Sequence, residues 1–228
     1  VLGRNDPSVI EVVRRRAEEV GAPFHYAPDL ADESEIPLDF SLPGMFNREN
    51  AVTALAALRI IKHSNTQTLK QFSHVVWPGR FQRVGNFIVD GAHNPPAARA
   101  LVTAISTSNF KHQTFNLICG FCGDKDVSEV LSILAPIVKK GYAVQTNNPR
   151  SLTAEETAAK MQAAGIDAIA CASICEAIDR ASGVSNLKHS NTQTLICGSL
   201  FLAGEALVAL DAYPWGAPRF DESELLKA

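Results

Sequence analysis

From about Phe72 onward the sequence alternates between short apolar runs and stretches with helical spacing, and this alternation leaves few folds open. The runs are Asn86 to Val89, Phe115 to Cys119, Tyr142 to Gln145, Ala168 to Cys171 and Thr194 to Cys197. Helical patterns lie between them at Pro95 to Ser106, Val127 to Lys140, Ala154 to Ala164 and Ile174 to Ala181, with a last one at Leu200 to Leu210. Strands apolar on both faces and separated by helix-length segments predict an α/β fold, a doubly wound and mostly parallel sheet with helices on both sides. In such sheets ligands bind outside the carboxyl ends of the strands. The first unit shows the logic. Phe87-Ile-Val89 reads as a buried strand, Asp90-Gly-Ala92 stops it, Asn94 is a good N-cap, and Pro95 suits the first helical position. A helix N-terminus there offers N–H groups to an anion, although Asp90 and Asn94 are also ordinary turn and cap residues.

The region before Phe72 reads differently. Asp6 and Pro7 open a helix with the stripe Val9, Val12, Val13, Ala17 and Val20, closed by Gly21 and Pro23. Phe24-His-Tyr26 reads as a short strand, Asp29 to Glu35 as an acidic exposed loop, and a second helix is predicted from about Arg48 to Ile61 with Asn47 as its cap. At 228 residues and 46% hydrophobic content, the chain can form one large or two small domains. A formal charge of −3 gives no polybasic footprint, so neither nucleic acid nor a membrane is an expected partner. Arg14-Arg-Arg16 is followed by Glu18-Glu19 and reads as a solvated helix face. No apolar stretch is long enough to span a bilayer and no signal-peptide pattern is present, which makes a cytoplasmic location the expectation.

Two features stand apart from this pattern. Cys119-Gly-Phe-Cys122 has the CxxC spacing of zinc and redox sites, with Cys171 and Cys175 as a looser pair. Against both readings, Cys119 and Cys197 end apolar runs where cysteine acts as a small hydrophobe, and Gly123-Asp-Lys-Asp126 separates the motif from the next helix. No metal site is therefore assigned. The octapeptide Lys-His-Ser-Asn-Thr-Gln-Thr-Leu occurs identically at Lys62 to Leu69 and Lys188 to Leu195. Its surroundings do not repeat, so it does not mark a solenoid, and each copy falls where a connection or strand entry is expected.

The stretch Trp77-Pro-Gly-Arg-Phe-Gln-Arg-Val84, followed by an apolar strand ending in Asp90-Gly-Ala-His-Asn-Pro95, resembles the folylpolyglutamate synthase and dihydrofolate synthase family of the Mur ligase superfamily. Leu42-Pro-Gly-Met-Phe-Asn-Arg-Glu-Asn50 with Ala51 to Ala57 is similar to the end of that superfamily's central ATPase domain. Gly198-Ser-Leu-Phe-Leu-Ala-Gly-Glu205 is similar to its last strand-helix unit, and Gly120 to Asp126 falls where the family has a Gly…Asp-Lys-Asp loop. Residues 1–72 are accordingly expected to be the remainder of a central ATPase domain, and residues 73–228 a Rossmann-like C-terminal domain.

The resemblance implies ATP-dependent amide formation, with Mg2+ as cofactor. A folate or dihydropteroate carboxylate takes the γ-phosphoryl group of ATP, and the amine of L-glutamate attacks the acyl phosphate. For the nucleotide, it implies Asn50 at the adenine edge, Arg80 at a phosphate and Asp90 at the ribose hydroxyls. For the incoming amino acid it implies His93, Asn94, Lys125 and Ser199. His93 is also the candidate catalytic base, since an unperturbed imidazole titrates near pH ~6.5. Lys125 between Asp124 and Asp126 reads equally as part of a solvated turn, and Ser199 as a helix cap.

Two departures from the family pattern bear on function. The sequence contains no G-x-x-x-x-G-K-[ST] phosphate loop, so the triphosphate cradle and the magnesium ligands are expected outside this chain, on an N-terminal ATPase lobe. The chain alone is then expected to be inactive. Phe46-Asn47 stands where relatives commonly carry a His followed by Gln or Asn. A muramyl-peptide ligase is the alternative within the superfamily, although it would more often carry Asp-Tyr-Ala-His where this chain has Asp90-Gly-Ala-His93. A catalytically silent nucleotide-binding module is the alternative outside it, and a nicotinamide-binding domain is disfavoured by the absence of G-x-G-x-x-G.

Overall fold

A computed structural model describes residues 1–42, 44–63, 66–108, 113–123, 126–183 and 192–213. The chain separates into two compact units, Val1–Trp77 and Pro78–Ala228, with a boundary five residues beyond the expected one.

In the first unit, α1 (Pro7–Glu19) starts as the sequence predicts: Asp6 caps it by accepting from the Ser8 N–H, and Pro7 occupies the first turn. No residue of α1 is buried, and Val9, Val12 and Val20 are 39%, 54% and 55% exposed. The core of the unit lies instead under α2 (Met45–Ile60), where Ala51, Leu55 and Ala56 pack on Ala27, Ala31, Ile36 and Phe72. Helix α2 begins earlier than expected. Gly44 enters it at φ 96°, Asn47 N–H donates to the Gly44 carbonyl, and Asn47 is buried inside the first turn rather than capping it. The predicted strand at Phe24 to Tyr26 reduces to a single bridge between Leu2 and Tyr26, because the chain turns into a 3-10 helix at Ala27–Asp29.

The acidic segment is more tightly held than an exposed loop would be. Asp32 and Glu35 form a capping box, Glu33 pairs with Arg48, and Glu35 pairs with Arg59. The Arg48 guanidinium also donates to the carbonyls of Glu33, Ile36 and Pro37 at 3.3, 2.9 and 3.0 Å. A short helix α3 (Thr66–Gln71) completes the unit.

The second unit is the predicted doubly wound sheet. Its strands β1 (Gln82–Val84), β2 (Phe87–Val89), β3 (Phe115–Cys119), β4 (Val138–Ala143), β5 (Ala168–Ala170) and β6 (Thr194–Cys197) lie in the order β1-β2-β6-β3-β4-β5. All neighbouring pairs are parallel except β1 with β2. Strand β1 was not expected; Gly85, at φ 55°, turns it back onto β2 as an antiparallel edge. Helices α4 (Pro95–Thr107), α5 (Val127–Leu134) and α6 (Ala154–Ala163) follow β2, β3 and β4 in turn, and α4 packs on α5 and α5 on α6. Helices α7 (Ile174–Ser182) and α8 (Leu200–Ala209) pack together over Val89, Ile118, Tyr142 and Ile196.

Helix α5 stops well short of the expected Lys140. Pro136 has no N–H to continue the helix, so the chain passes through a 3-10 turn at Ala135–Ile137, and Lys139 and Lys140 enter β4. Chain order and space diverge at β6, which inserts between β2 and β3. The crossover through α7 brings it there, and the carboxyl ends of β2, β6 and β3 thereby become neighbours.

Arg48 is the polar staple of the first unit. Arg48→Ala should destabilise that unit by about 1.5–3 kcal/mol, the range for hydrogen bonds to a charged group. Urea denaturation followed by far-UV circular dichroism would show an unchanged transition if the staple carried no stability.

Candidate functional site

The site is built from loops that leave the carboxyl ends of the parallel strands. After β2, Asp90 is almost fully buried (3% exposed); its Oδ2 accepts from Phe81 N–H and its Oδ1 from Ala92 N–H, both at 2.8 Å. Gly91 N–H donates to the Gly79 carbonyl at 2.8 Å, and Gly79 N–H donates to Gln82 Oε1 at 3.0 Å. These bonds tie the Gly79-Arg80-Phe81 turn to the Asp90-Gly91-Ala92 loop. Phe81 sits at φ 49°, a left-handed conformation that a buried phenylalanine adopts only when its surroundings hold it there. Arg80, at the apex between the clamped residues, is partly buried. Burial pushes the Asp90 carboxyl above the ordinary carboxylate range, against the opposing pull of the two N–H donors and of Arg80 and His93.

His93 Nδ1 lies 2.8 Å from the Gly91 carbonyl. A carbonyl only accepts, so Nδ1 carries the hydrogen and Nε2 of the neutral ring is left as the acceptor. Asn94 caps α4 by accepting from Ala97 N–H at 2.9 Å. With Pro95 and Pro96 in the next two positions lacking N–H groups and Ala97 capped, the start of α4 does not present the free amides that the sequence pattern suggested. After β6, Gly198 N–H donates to the Ala92 carbonyl at 2.7 Å, and the buried Ser199 caps α8 by accepting from Phe201 N–H at 3.1 Å. Gly198 is at φ 115°, and a β-carbon there would meet the Gly120 carbonyl at 2.9 Å and the Phe121 ring at 3.0 Å, so the β6 and β3 loops approach too closely for a side chain.

The loop after β3 pairs with the loop after β4. Cys122 bridges Ser151, Gly123 N–H donates to the Arg150 carbonyl at 2.9 Å, and Leu152 N–H donates to the Phe121 carbonyl at 2.8 Å. Glu205 of α8 accepts from Asn147 N–H at 2.8 Å and anchors the far end of the β4 loop. The result is a cavity of about 160 Å³ lined by His93, Cys122, Arg150, Gly198, Ser199, Leu200 and Phe201. Hollows of about 130 and 400 Å³ in the first unit contain none of the predicted site residues.

The structure thus brings His93 and Ser199 to one cavity. Asn94 follows His93 directly, with its side-chain oxygen used as a cap, and Lys125 lies outside the described residues. Asn50 is exposed on the second turn of α2, not the first, because that helix begins at Met45. Arg150 escaped the sequence reading. The signal available for it was a basic residue in a polar loop, Asn147-Asn-Pro-Arg150, just after a predicted parallel strand. Cys119 and Cys197 are fully buried partners on adjacent strands whose thiols burial pushes up, which removes Cys119 from redox chemistry and leaves it a core residue. Among the described residues no group of three or more His, Cys, Asp or Glu side chains could hold a metal ion, and no helix is long and apolar enough to cross a membrane.

A doubly wound, mostly parallel sheet with a small cavity among the loops at its strand ends is the α/β architecture in which ligands characteristically bind at that edge. The family described as Mur ligase, glutamate ligase domain matches residues 79–200, more than half of the sequence, and the chain belongs to that family. Among relatives, the probable dihydrofolate synthetase of Schizosaccharomyces pombe is 27% identical over 235 residues, covering 90% of this chain and 55% of its own length. The dihydrofolate synthase/folylpolyglutamate synthase of Mycobacterium tuberculosis is 29% identical over 249 residues, covering 90% of this chain and 50% of its own. The M. tuberculosis folylpolyglutamate synthase, solved in complex with ADP and AMPPCP, has the same fold: TM-score 0.77, 23% identity, over 93% of this chain and 55% of that one. The chain spans about half the length of the curated relatives it matches.

The burial of Asp90, which outweighs the clamp's N–H donors, predicts a pH signature. The folded-state carboxyl of Asp90 titrates above its unfolded value of 3.8, so its contribution to stability is full below that value and is lost as pH rises through the folded one. Asp90→Asn cannot titrate and presents an amide donor to one of the two N–H groups, a loss of about 1–3 kcal/mol. Unfolding free energies of wild type and variant, measured across the acidic range, should therefore differ most at the acid end; a difference independent of pH would contradict the assignment.

Proposed function

We propose that this protein carries the amine-binding half of an ATP-dependent carboxylate–amine ligase that adds L-glutamate to a folate or dihydropteroate. In that reaction the substrate carboxylate accepts the γ-phosphoryl group of ATP, the amine attacks the acyl carbon, and phosphate leaves as the amide forms. One observation carries the reading: His93, Arg150 and Ser199, delivered by the ends of β2, β4 and β6, line one cavity. A guanidinium and a hydroxyl match a carboxylate substrate group, and the acceptor Nε2 of His93 matches the proton that an incoming ammonium must lose before it attacks. Asn94 and Lys125 keep amino-acid roles in this proposal on the resemblance alone.

For the nucleotide, Arg80 is assigned to a phosphate, supported by the clamped turn that holds it, and Asn50 to the adenine edge. Asp90 spends one lone pair of each oxygen on the clamp. Its assignment to the ribose hydroxyls uses the second lone pairs. Mg2+ would neutralise the phosphates, with ligands supplied by a phosphate-loop lobe that this sequence does not contain. Val1–Trp77 is read as the remainder of the ATPase domain, and the exposed valine face of α1 suits packing against the rest of such a domain. A cytoplasmic location accords with the free cysteines among the described residues. The folate branch is favoured over the muramyl branch by Gly91, where a muramyl-peptide ligase would more often carry tyrosine.

The isolated chain should show no ligase activity, and supplying the phosphate-loop lobe should restore it. In the restored enzyme Arg150→Ala should raise the KM for L-glutamate roughly 10- to 100-fold with a smaller change in kcat, the equivalent of one charge-assisted hydrogen bond. Steady-state glutamylation assays check both. Turnover by the chain alone, or an unchanged KM, would count against the reading.

A further inference from the structure

Leu200 opens α8 with its side chain 51% exposed, immediately after Ser199 and on the wall of the cavity. Its seat is Gly91. A β-carbon built on Gly91 would come within 2.3 Å of Leu200 Cδ2 and 3.2 Å of its Cγ. Gly91 is absent from the positive-φ glycines of the chain, so its backbone conformation does not require glycine. The leucine occupies the space, so a β-carbon at position 91 displaces its side chain. The seat is also rigid, because Gly91 N–H is bonded to Gly79 and the flanking Asp90 is clamped at both oxygens. Arg150, His93 and Ser199 line the same cavity, so its lining combines polar groups with the apolar surface of Leu200, Phe201 and Cys122.

We propose that Leu200, seated on Gly91, is a specificity-determining residue that sets the size of the amine cavity and restricts it to a compact acidic α-amino acid. The proposal rests on the reading of this cavity as the amine site. With alanine at position 200 the apolar wall retreats and bulkier amino acids fit. With alanine at position 91 the leucine loses its seat and is driven into the cavity, since the clamped backbone beneath it cannot give way.

Cys122 supplies a probe, because among the buried cysteines it lines the cavity and keeps 7% of its surface exposed, against 0% for Cys119 and Cys197 and 3% for Cys171. With the exposed Cys175 changed to Ser, the rate of Cys122 modification by a small methanethiosulfonate reports access. Leu200→Ala should speed modification, Gly91→Ala should slow it, each roughly two- to tenfold, the rate equivalent of displacing a leucine from its rotamer. The double variant should return to the Leu200→Ala rate. L-glutamate should protect Cys122 in wild type, while L-tryptophan should protect it only in Leu200→Ala. An unchanged rate in Leu200→Ala overturns the wall whether or not Gly91→Ala folds, and an unchanged amino-acid preference in that variant overturns the selectivity. If rates follow residue 200 but no amino acid protects Cys122, the amine reading fails while the wall stands.

Discussion

The carboxylate of Asp90 holds two backbone N–H groups from segments that meet at the edge of the parallel sheet, and the arrangement around it depends on that bond pair. Phe81 and Ala92 are both buried, so their amides cannot turn to water for a partner. Because Asp90 satisfies both at once, the Arg80 turn and the His93 loop take up fixed positions relative to one another. Leu200 then finds a flat seat on Gly91, and Gly198 closes against the Ala92 carbonyl. The side chain that the sequence presents as a ligand contact is thus also the structural centre of its neighbourhood.

Around that centre the loops approach closely at glycines. Gly91 admits a leucine, and Gly198 admits the β3 loop. Small residues at strand ends let the loops converge, and the polar groups that line the cavity come from separate segments. His93, Arg150 and Ser199 are fixed by local bonds of different kinds: a ring nitrogen on a carbonyl, a loop held between Cys122 and Glu205, and a helix cap. Preorganisation of this sort lowers the ordering cost of binding a small ligand.

Much of the second unit was legible because its signals are local. The apolar runs at Phe87, Phe115 and Thr194 bury on both faces, and Asn94 and Ser199 cap the helices they precede. Where the reading failed, a single residue or a distant partner overrode the pattern. Pro136 ended α5 early, Gly44 started α2 early, and Gly85 made an edge strand of Gln82–Val84. Of the residues lining the cavity, His93 and Ser199 are named by motif residues flanking predicted strands. Arg150 is not, because only the pairing of its loop with the β3 loop places it beside Cys122.

The repeated octapeptide marks the limit of sequence most directly. Its Thr-Gln-Thr-Leu portion lies in helix α3 at residues 66–69, and enters strand β6 at residues 192–195. Identical local propensities end in different secondary structure because the second copy is completed by β2 on one side and β3 on the other, while the first lies in a unit with no sheet among its described residues. By itself the sequence determined the α/β class, the strand-end positions of the candidate residues and the family to which they belong, since these follow from periodicity, caps and motifs. The tertiary structure alone decided that β6 lies between β2 and β3, that Asp90 turns inward to clamp two loops, and that Arg150 and Leu200 face the same cavity, because long-range strand pairing and backbone contact set those relations.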